Sequence, residues 1–196
     1  MKHTSIRTHI TASILGLLAL ARVAVQPAQA QEPLRLRAYA IQTGQVPGDR
    51  ASVVDLEITR WSTEEERQGL IKTFRLDGTE ALLDALQDTA SVGTLRTPDS
   101  VGWDLHYATQ TRLENGGLRI ILATDRPIGF WELYENSRSV SYPFTLIEIR
   151  MDEDGRGEGR MSVATRVELS PDGKHLQLEN YSAQPVLLKS LRRVED

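Results

Sequence analysis

The chain has 196 residues, with 23 basic against 27 acidic side chains and no cysteine. The missing thiol excludes disulfides, thiolate zinc sites, cysteine nucleophiles and a lipid anchor on cysteine. A net charge of −4 repels a nucleic-acid backbone instead of recruiting it, so no nucleic-acid partner is expected.

The first thirty residues set the expected compartment. Lys2 and Arg7 open a basic segment, an apolar run follows from Ile14 to Leu20, and Ala28-Gln29-Ala30 closes it with a small-x-small pattern. That order reads as a secretory signal peptide over residues 1–30, cleaved after Ala30. The apolar run is shorter than the roughly 20 residues that cross a bilayer, so the mature form is expected to have no transmembrane segment and to be periplasmic or secreted. Cleavage removes Lys2, Arg7 and Arg22 and no acid, which leaves 20 basic against 27 acidic side chains and a net charge of −7. Residues 31–196 have the length of one domain, enough to bury a core without staples.

Along this domain Leu34, Leu36, Ala38 and Ala40 alternate with Arg35, Arg37 and Tyr39, and Val54, Leu56 and Ile58 alternate with Asp55, Glu57 and Thr59. Both runs predict strands with one wet face. Gly44, Pro47 and Gly48 mark a loop between them. Ser62 and Thr63 then stand three residues before Glu65 and Glu66, a capping-box spacing, and Leu70, Ile71 and Phe74 follow at helical intervals. Asp77-Gly78-Thr79 breaks that helix before Leu82, Leu83 and Leu86, which predicts a helical hairpin over about 63–88, packed on the sheet through Leu70, Phe74, Leu82 and Leu86.

The period then returns to two. A short strand is expected at Val92–Thr97, and Trp103, Leu105 and Tyr107 alternate with Asp104 and His106 up to the turn signal Asn115-Gly116. Further strands are expected at Leu118–Thr124, Phe144–Met151, Gly159–Leu169, Lys174–Tyr181 and Val186–Leu191. The pattern is α+β, mainly antiparallel β, a barrel or sandwich of about 8–9 strands with the helical insertion.

No motif names a reaction. Asp152, Asp154 and Glu158 in "MDEDGRGEG" suggest a calcium loop, but with Asp152 first and Gly157 sixth, Val163 falls where a bidentate acid is required, so the segment reads as a hairpin turn. His106 and His175 lack a neighbour at ligand spacing and read as solvated, so no metal and no cofactor is expected. Ser100 and Ser162 lie in no nucleophile elbow. Glu132, Glu135 and Glu148 are the acids from which a glycosidase-like pair would be assembled.

The segment "ATDRPIGFWELYENSRSVSYPF", Ala123–Phe144, holds five of the eleven aromatic residues in a connection too long for a tight hairpin. Connections of that length are functional or packed as plugs. Two readings stay open: Phe130, Trp131 and Phe144 cap the barrel end with Arg126 paired to Glu132, or the segment lines a ligand cavity. Asp125, Arg126, Trp131, Glu132, Tyr134 and Tyr142 are the candidate ligand-binding residues, for a small apolar or sugar-like ligand or an envelope protein. The favoured reading is a non-catalytic binding or interaction module with its site at the mouth of the β structure. The alternative is a hydrolase of envelope or extracellular polymers that uses loop carboxylates.

The segments "ATDRPIGFWE", "YPFTLIEIRMDEDGRGEG" and "LQLENYSAQPVLL" resemble those of a group of exported bacterial proteins, over roughly Trp103 to Leu191. The resemblance implies export; it implies no activity, cofactor or catalytic residue.

Overall fold

The structure, a computed structural model, describes residues 32–42, 50–98, 100–125, 144–169, 176–180 and 185–195. Within them the chain runs β1 (Leu34–Gln42), β2 (Arg50–Ile58), α1 (Glu64–Gln87), β3 (Gly93–Arg96), β4 (Trp103–Leu105), β5 (Tyr107–Arg112), β6 (Leu118–Thr124), β7 (Phe144–Met151), β8 (Arg156–Leu169), β9 (Leu176–Asn180) and β10 (Val186–Arg193). The short strand expected near Val92 is β3.

Every pairing is antiparallel, in the order β4-β3-β2-β1-β10-β8-β7-β6-β5, with β9 paired to the far part of β8. The two ends of that order, β4 and β5, are consecutive in the chain and separated by His106 alone. One segment, Trp103–Arg112, therefore serves both edges: it pairs with β3 before His106 and with β6 after it. The sheet curls into a nearly closed barrel, which covers the unpaired backbone groups that an open sheet exposes. Of the two architectures open to the sequence, the barrel is the one adopted.

Period-two alternation decides what faces inward. Leu36, Leu56, Leu95, Leu105, Ile120, Leu122, Ile147, Ile149, Met161 and Leu188 converge in one cluster, each 0–1% exposed. Burying an aliphatic side chain of this size stabilises by about 1.5–3 kcal/mol, so this cluster dominates the favourable side of folding. Side chains so inaccessible leave no water-sized void against them, and the described part of the lumen is a packed core.

The face on which Trp103, Leu105 and Tyr107 were expected together is split. Trp103 and Leu105 belong to the lumen cluster, but Tyr107 packs outside it with Phe74, Leu82, Leu86, Ala123 and Phe144. The alternation changes phase at His106, because the chain there leaves one neighbour strand and joins another.

The second cluster is the seat of α1. Thr63 is its N-cap: its hydroxyl accepts from Glu66 N at 3.1 Å, and the Glu66 carboxylate accepts from Thr63 N at 2.8 Å. Of the two expected pairs, the box uses Thr63 and Glu66. Ser62 is taken by β5, with Ser62 N donating to Ala108 O at 2.8 Å and Ala108 N donating to the Ser62 hydroxyl at 3.1 Å. Arg60 joins both ends of the helical region, donating to Glu66 at 3.0 Å and to Ala90 O at 2.9 Å. The Arg60 hydrogen bond, together with the Thr63 amide, holds the Glu66 carboxyl below its usual range. Phe74, Leu82 and Leu86 are buried, and Leu70 packs beside them, as the spacing predicted.

The helical region is one element interrupted at Gly78, whose φ of 84° and ψ of −163° are not helical. That conformation is essentially restricted to glycine and costs other residues about 1–3 kcal/mol. A Cβ at Gly78 would meet nothing within 4 Å. Gly78→Ala is therefore expected to destabilise by about 1–3 kcal/mol through backbone strain alone. Urea denaturation measures it, and a change below the error of that method would mean that the break relaxes freely.

Candidate functional site

The strand register gathers one set of strand ends. The C-terminal ends of β1 and β6 and the N-terminal ends of β2, β7 and β10 lie at the same end of the barrel. Asp125 follows β6 at this mouth. Of the candidate ligand-binding residues, Asp125 is described, whereas Arg126, Trp131, Glu132, Tyr134 and Tyr142 lie outside the described residues. Phe130, Glu135 and His175 do so too.

Inside the mouth the lumen becomes polar. Thr124 and Thr145 continue the inward faces of β6 and β7, stand opposite each other in register and are 0% exposed. The Thr124 hydroxyl donates to Asp125 Oδ1 at 3.3 Å. Phe144, expected as part of a barrel plug, instead points to the other side of β7. It is 2% exposed there, against Phe74, Leu82 and Leu86. Its place in the alternation, one residue before the inward Thr145, decides this, so Phe144 anchors the helix and does not cap the lumen.

His106 requires a second correction. Expected as a solvated histidine without a carboxylate neighbour, it has a side chain only 13% exposed, with Nε2 3.6 Å from Asp125 Oδ1. Its Nδ1 lies 2.8 Å from Thr89 O, and a carbonyl only accepts, so Nδ1 carries the proton of that bond. His106 N donates to Ala123 O at 2.9 Å, which extends the β5–β6 ladder across the corner. Asp125 is nineteen positions away in sequence, so spacing could not announce this pair; the register of β5 against β6 creates it.

The chemistry open to this corner is narrow. A base that activates a nucleophile uses one ring nitrogen for its carboxylate and the other for the nucleophile. In His106 the second nitrogen is held by Thr89 O, so the pair is built as a clasp between β5, β6 and the segment after α1. Among the described residues no group of three metal-ligating side chains gathers.

Glu148, the described member of the expected acid set, faces outward from β7. Arg119 Nε donates to its Oε1 at 2.8 Å, and Arg150 donates at 3.2 Å. Partial burial by itself would raise this carboxyl, but the hydrogen bonds and charges of Arg119 and Arg150 outweigh it and hold Glu148 below the usual carboxylate range. A general acid needs the opposite shift.

The turn "MDEDGRGEG" is closed by its first acid, Asp152. Asp152 N donates to Arg156 O at 2.7 Å, Arg156 N donates to the Asp152 carboxylate at 2.8 Å, and Gly155 takes a φ of 74°. The hairpin reading of this segment matches that geometry. No family model matches this chain, and no curated protein or solved structure does so either.

Replacing His106 by Leu removes the donor to Thr89 O and leaves that acceptor without its ring partner. A loss of about 0.5–1.5 kcal/mol is expected, the usual net contribution of one hydrogen bond at a partly buried site, and chemical denaturation reads it. For Glu148 the folded carboxyl is depressed, so its contribution is present above the unfolded glutamate value of about 4.3 and is lost as pH falls through and below it. Glu148→Gln is therefore expected to flatten the acid limb of a stability-against-pH curve and to change its slope little above pH 6.

Proposed function

We propose that the protein is an exported, non-catalytic binding or interaction module whose contact region is the barrel mouth. Its contacts come from Asp125 and from the segment that follows it, with Arg126, Trp131, Glu132, Tyr134 and Tyr142 as the ligand-binding side chains. We infer also that the two halves of α1 fold back on each other at Gly78 as a helical hairpin over about 63–88. The leader over residues 1–30 directs the chain to the periplasm or outside the cell.

One observation carries the binding reading over the hydrolase reading: of the residues considered for acid–base chemistry, the two described ones, His106 and Glu148, are both engaged by fixed partners. The packing of the described lumen side chains supports a ligand met at the mouth. The hydrolase alternative then rests on Glu132 and Glu135 alone. The ligand class remains a small apolar or sugar-like molecule or an envelope protein, because aromatic rings beside a few charges suit those surfaces.

The test combines native mass spectrometry of the purified protein with a thermal-shift screen of apolar and sugar-like compounds. A bound compound is expected to raise the melting temperature in proportion to occupancy, and Trp131→Ala and Tyr134→Ala are expected to abolish that rise while leaving the unliganded value within about 2 °C. A fall corresponding to about 3–5 kcal/mol for unliganded Trp131→Ala, with no compound bound, would replace the binding reading by a plug. Release of products from envelope polymers, lost in Glu132→Gln, would establish the hydrolase instead.

A further inference from the structure

The outer face of the barrel carries a row of side chains that the mouth does not use. The register places Arg96 beside Asp55, Asp55 beside Arg37, Arg37 beside Arg192 and Arg192 beside Arg156, across β3, β2, β1, β10 and β8. Residues directly opposite in an antiparallel pair share a face, so four arginines and a single aspartate stand in one line.

Like charges placed directly opposite each other destabilise a sheet. Asp55 offsets part of this row. Arg37 Nε reaches its Oδ1 at 2.6 Å and Arg37 Nη2 its Oδ2 at 3.1 Å, a two-pronged grip. That contact also raises the Arg37 guanidinium above its ordinary value. Arg192 and Arg156 are exposed, and among the described residues neither forms an ion pair. Among the described acids nearest in sequence, Asp152 accepts from the Arg156 backbone amide, Glu158 is held by Lys189, and Glu153, Asp154 and Glu195 form no ion pair with either guanidinium. In the adjacent row Lys189 holds Glu158, and Arg150 holds Glu148. The face is thus cationic on a chain of net charge −4.

We propose that this row is a binding site for a carboxylated linear polysaccharide, laid across β1, β10 and β8 with its carboxylates over Arg192 and Arg156. That a carboxylate fits the face is shown by the pairs already on it. Asp55 on Arg37, Glu57 on Arg35 and Glu148 on Arg119 are all cross-strand carboxylate–arginine pairs at 2.6–3.0 Å. A ligand carboxylate above Arg192 or Arg156 repeats the geometry that Asp55 already adopts. The line from Arg37 through Arg192 to Arg156 spans about 10 Å at a strand spacing of about 4.8 Å, and a barrel face is convex. A thin chain follows such a line, whereas a flat lipid surface touches a convex face along little of its area. The site is separate from the mouth, and its test does not depend on the mouth's ligand.

The experiment is isothermal titration of the purified protein with polygalacturonate at about 20 mM salt, where a Debye length near 20 Å preserves surface charge effects. Uncharged dextran, inorganic polyphosphate and phosphatidylglycerol vesicles form the other arms. Polygalacturonate is expected to bind and to weaken steeply as salt is raised. The double variant R156Q/R192Q is expected to lose about tenfold or more in affinity at an unchanged melting temperature. The variant K72Q/R112Q, which removes the same charge elsewhere, is expected to bind as the parent does. The proposal is overturned by absent binding, by undiminished binding in R156Q/R192Q, or by equal loss in both variants. Tighter binding of polyphosphate or vesicles than of polygalacturonate overturns it equally.

Discussion

An antiparallel sheet of this size has to dispose of two edges, and here a single chain segment disposes of both. Trp103–Arg112 hydrogen-bonds β3 with its first part and β6 with its second, and the exchange takes place at His106. Because the segment changes partner, its side chains change phase: Leu105 points into the lumen and Tyr107 points out. The reversal makes room for α1, since Tyr107 and Ala123 are then the floor on which Phe74, Leu82 and Leu86 rest. The clasp from His106 to Thr89 O and towards Asp125 ties the return from the helix to the same corner. The lumen, the helix and the mouth all depend on that one crossing.

The barrel wall separates two kinds of interaction. Inside are aliphatic side chains whose removal from water is each worth about 1.5–3 kcal/mol. Outside are cross-strand ion pairs such as Arg35–Glu57 and Arg119–Glu148, with side chains roughly a third to a half exposed. Exposed pairs of that kind contribute about 0–1 kcal/mol each. Stability therefore resides in the lumen, and the outer ladders are available for register and recognition. That division explains why a row as unfavourable as Arg37, Arg192 and Arg156 is tolerated: its repulsion is screened by solvent, while Leu36, Leu188 and Met161 on the inner side hold the same strands together.

The polar groups at the mouth are enclosed differently. Thr124 and Thr145 occupy inward positions that continue the lines of Leu122 and Ile147, so the interior passes from aliphatic to hydroxyl-bearing within one pair of residues. A buried hydroxyl has to find partners, and the Thr124 contact with Asp125 is one of them. This fixes the carboxylate at the point where the aromatic segment departs. The proposed binding role and the rigid clasp are compatible on this view, because the wall supplies a fixed rim beside the proposed contact segment.

What the sequence determined by itself was what rests on local periodicity within a strand or helix that keeps one set of neighbours. Alternation marked β1, β2, β6 and β7, the Thr63–Glu66 spacing marked the start of α1, and Asp77-Gly78-Thr79 marked its interruption, because period, capping and glycine conformation act over a few residues. What only the tertiary structure decided was which of those elements meet. Nothing near His106 in sequence shows that Asp125 lies beside it, that the alternation reverses there, or that Phe144 turns to the helix. Nor does composition show that an acidic chain gathers arginines in one row: Arg37, Arg156 and Arg192 are far apart in the chain, and only the register of β1, β10 and β8 sets them side by side. Strand pairing is a long-range choice made by the whole barrel as it closes, and the neighbours it creates belong to no local pattern.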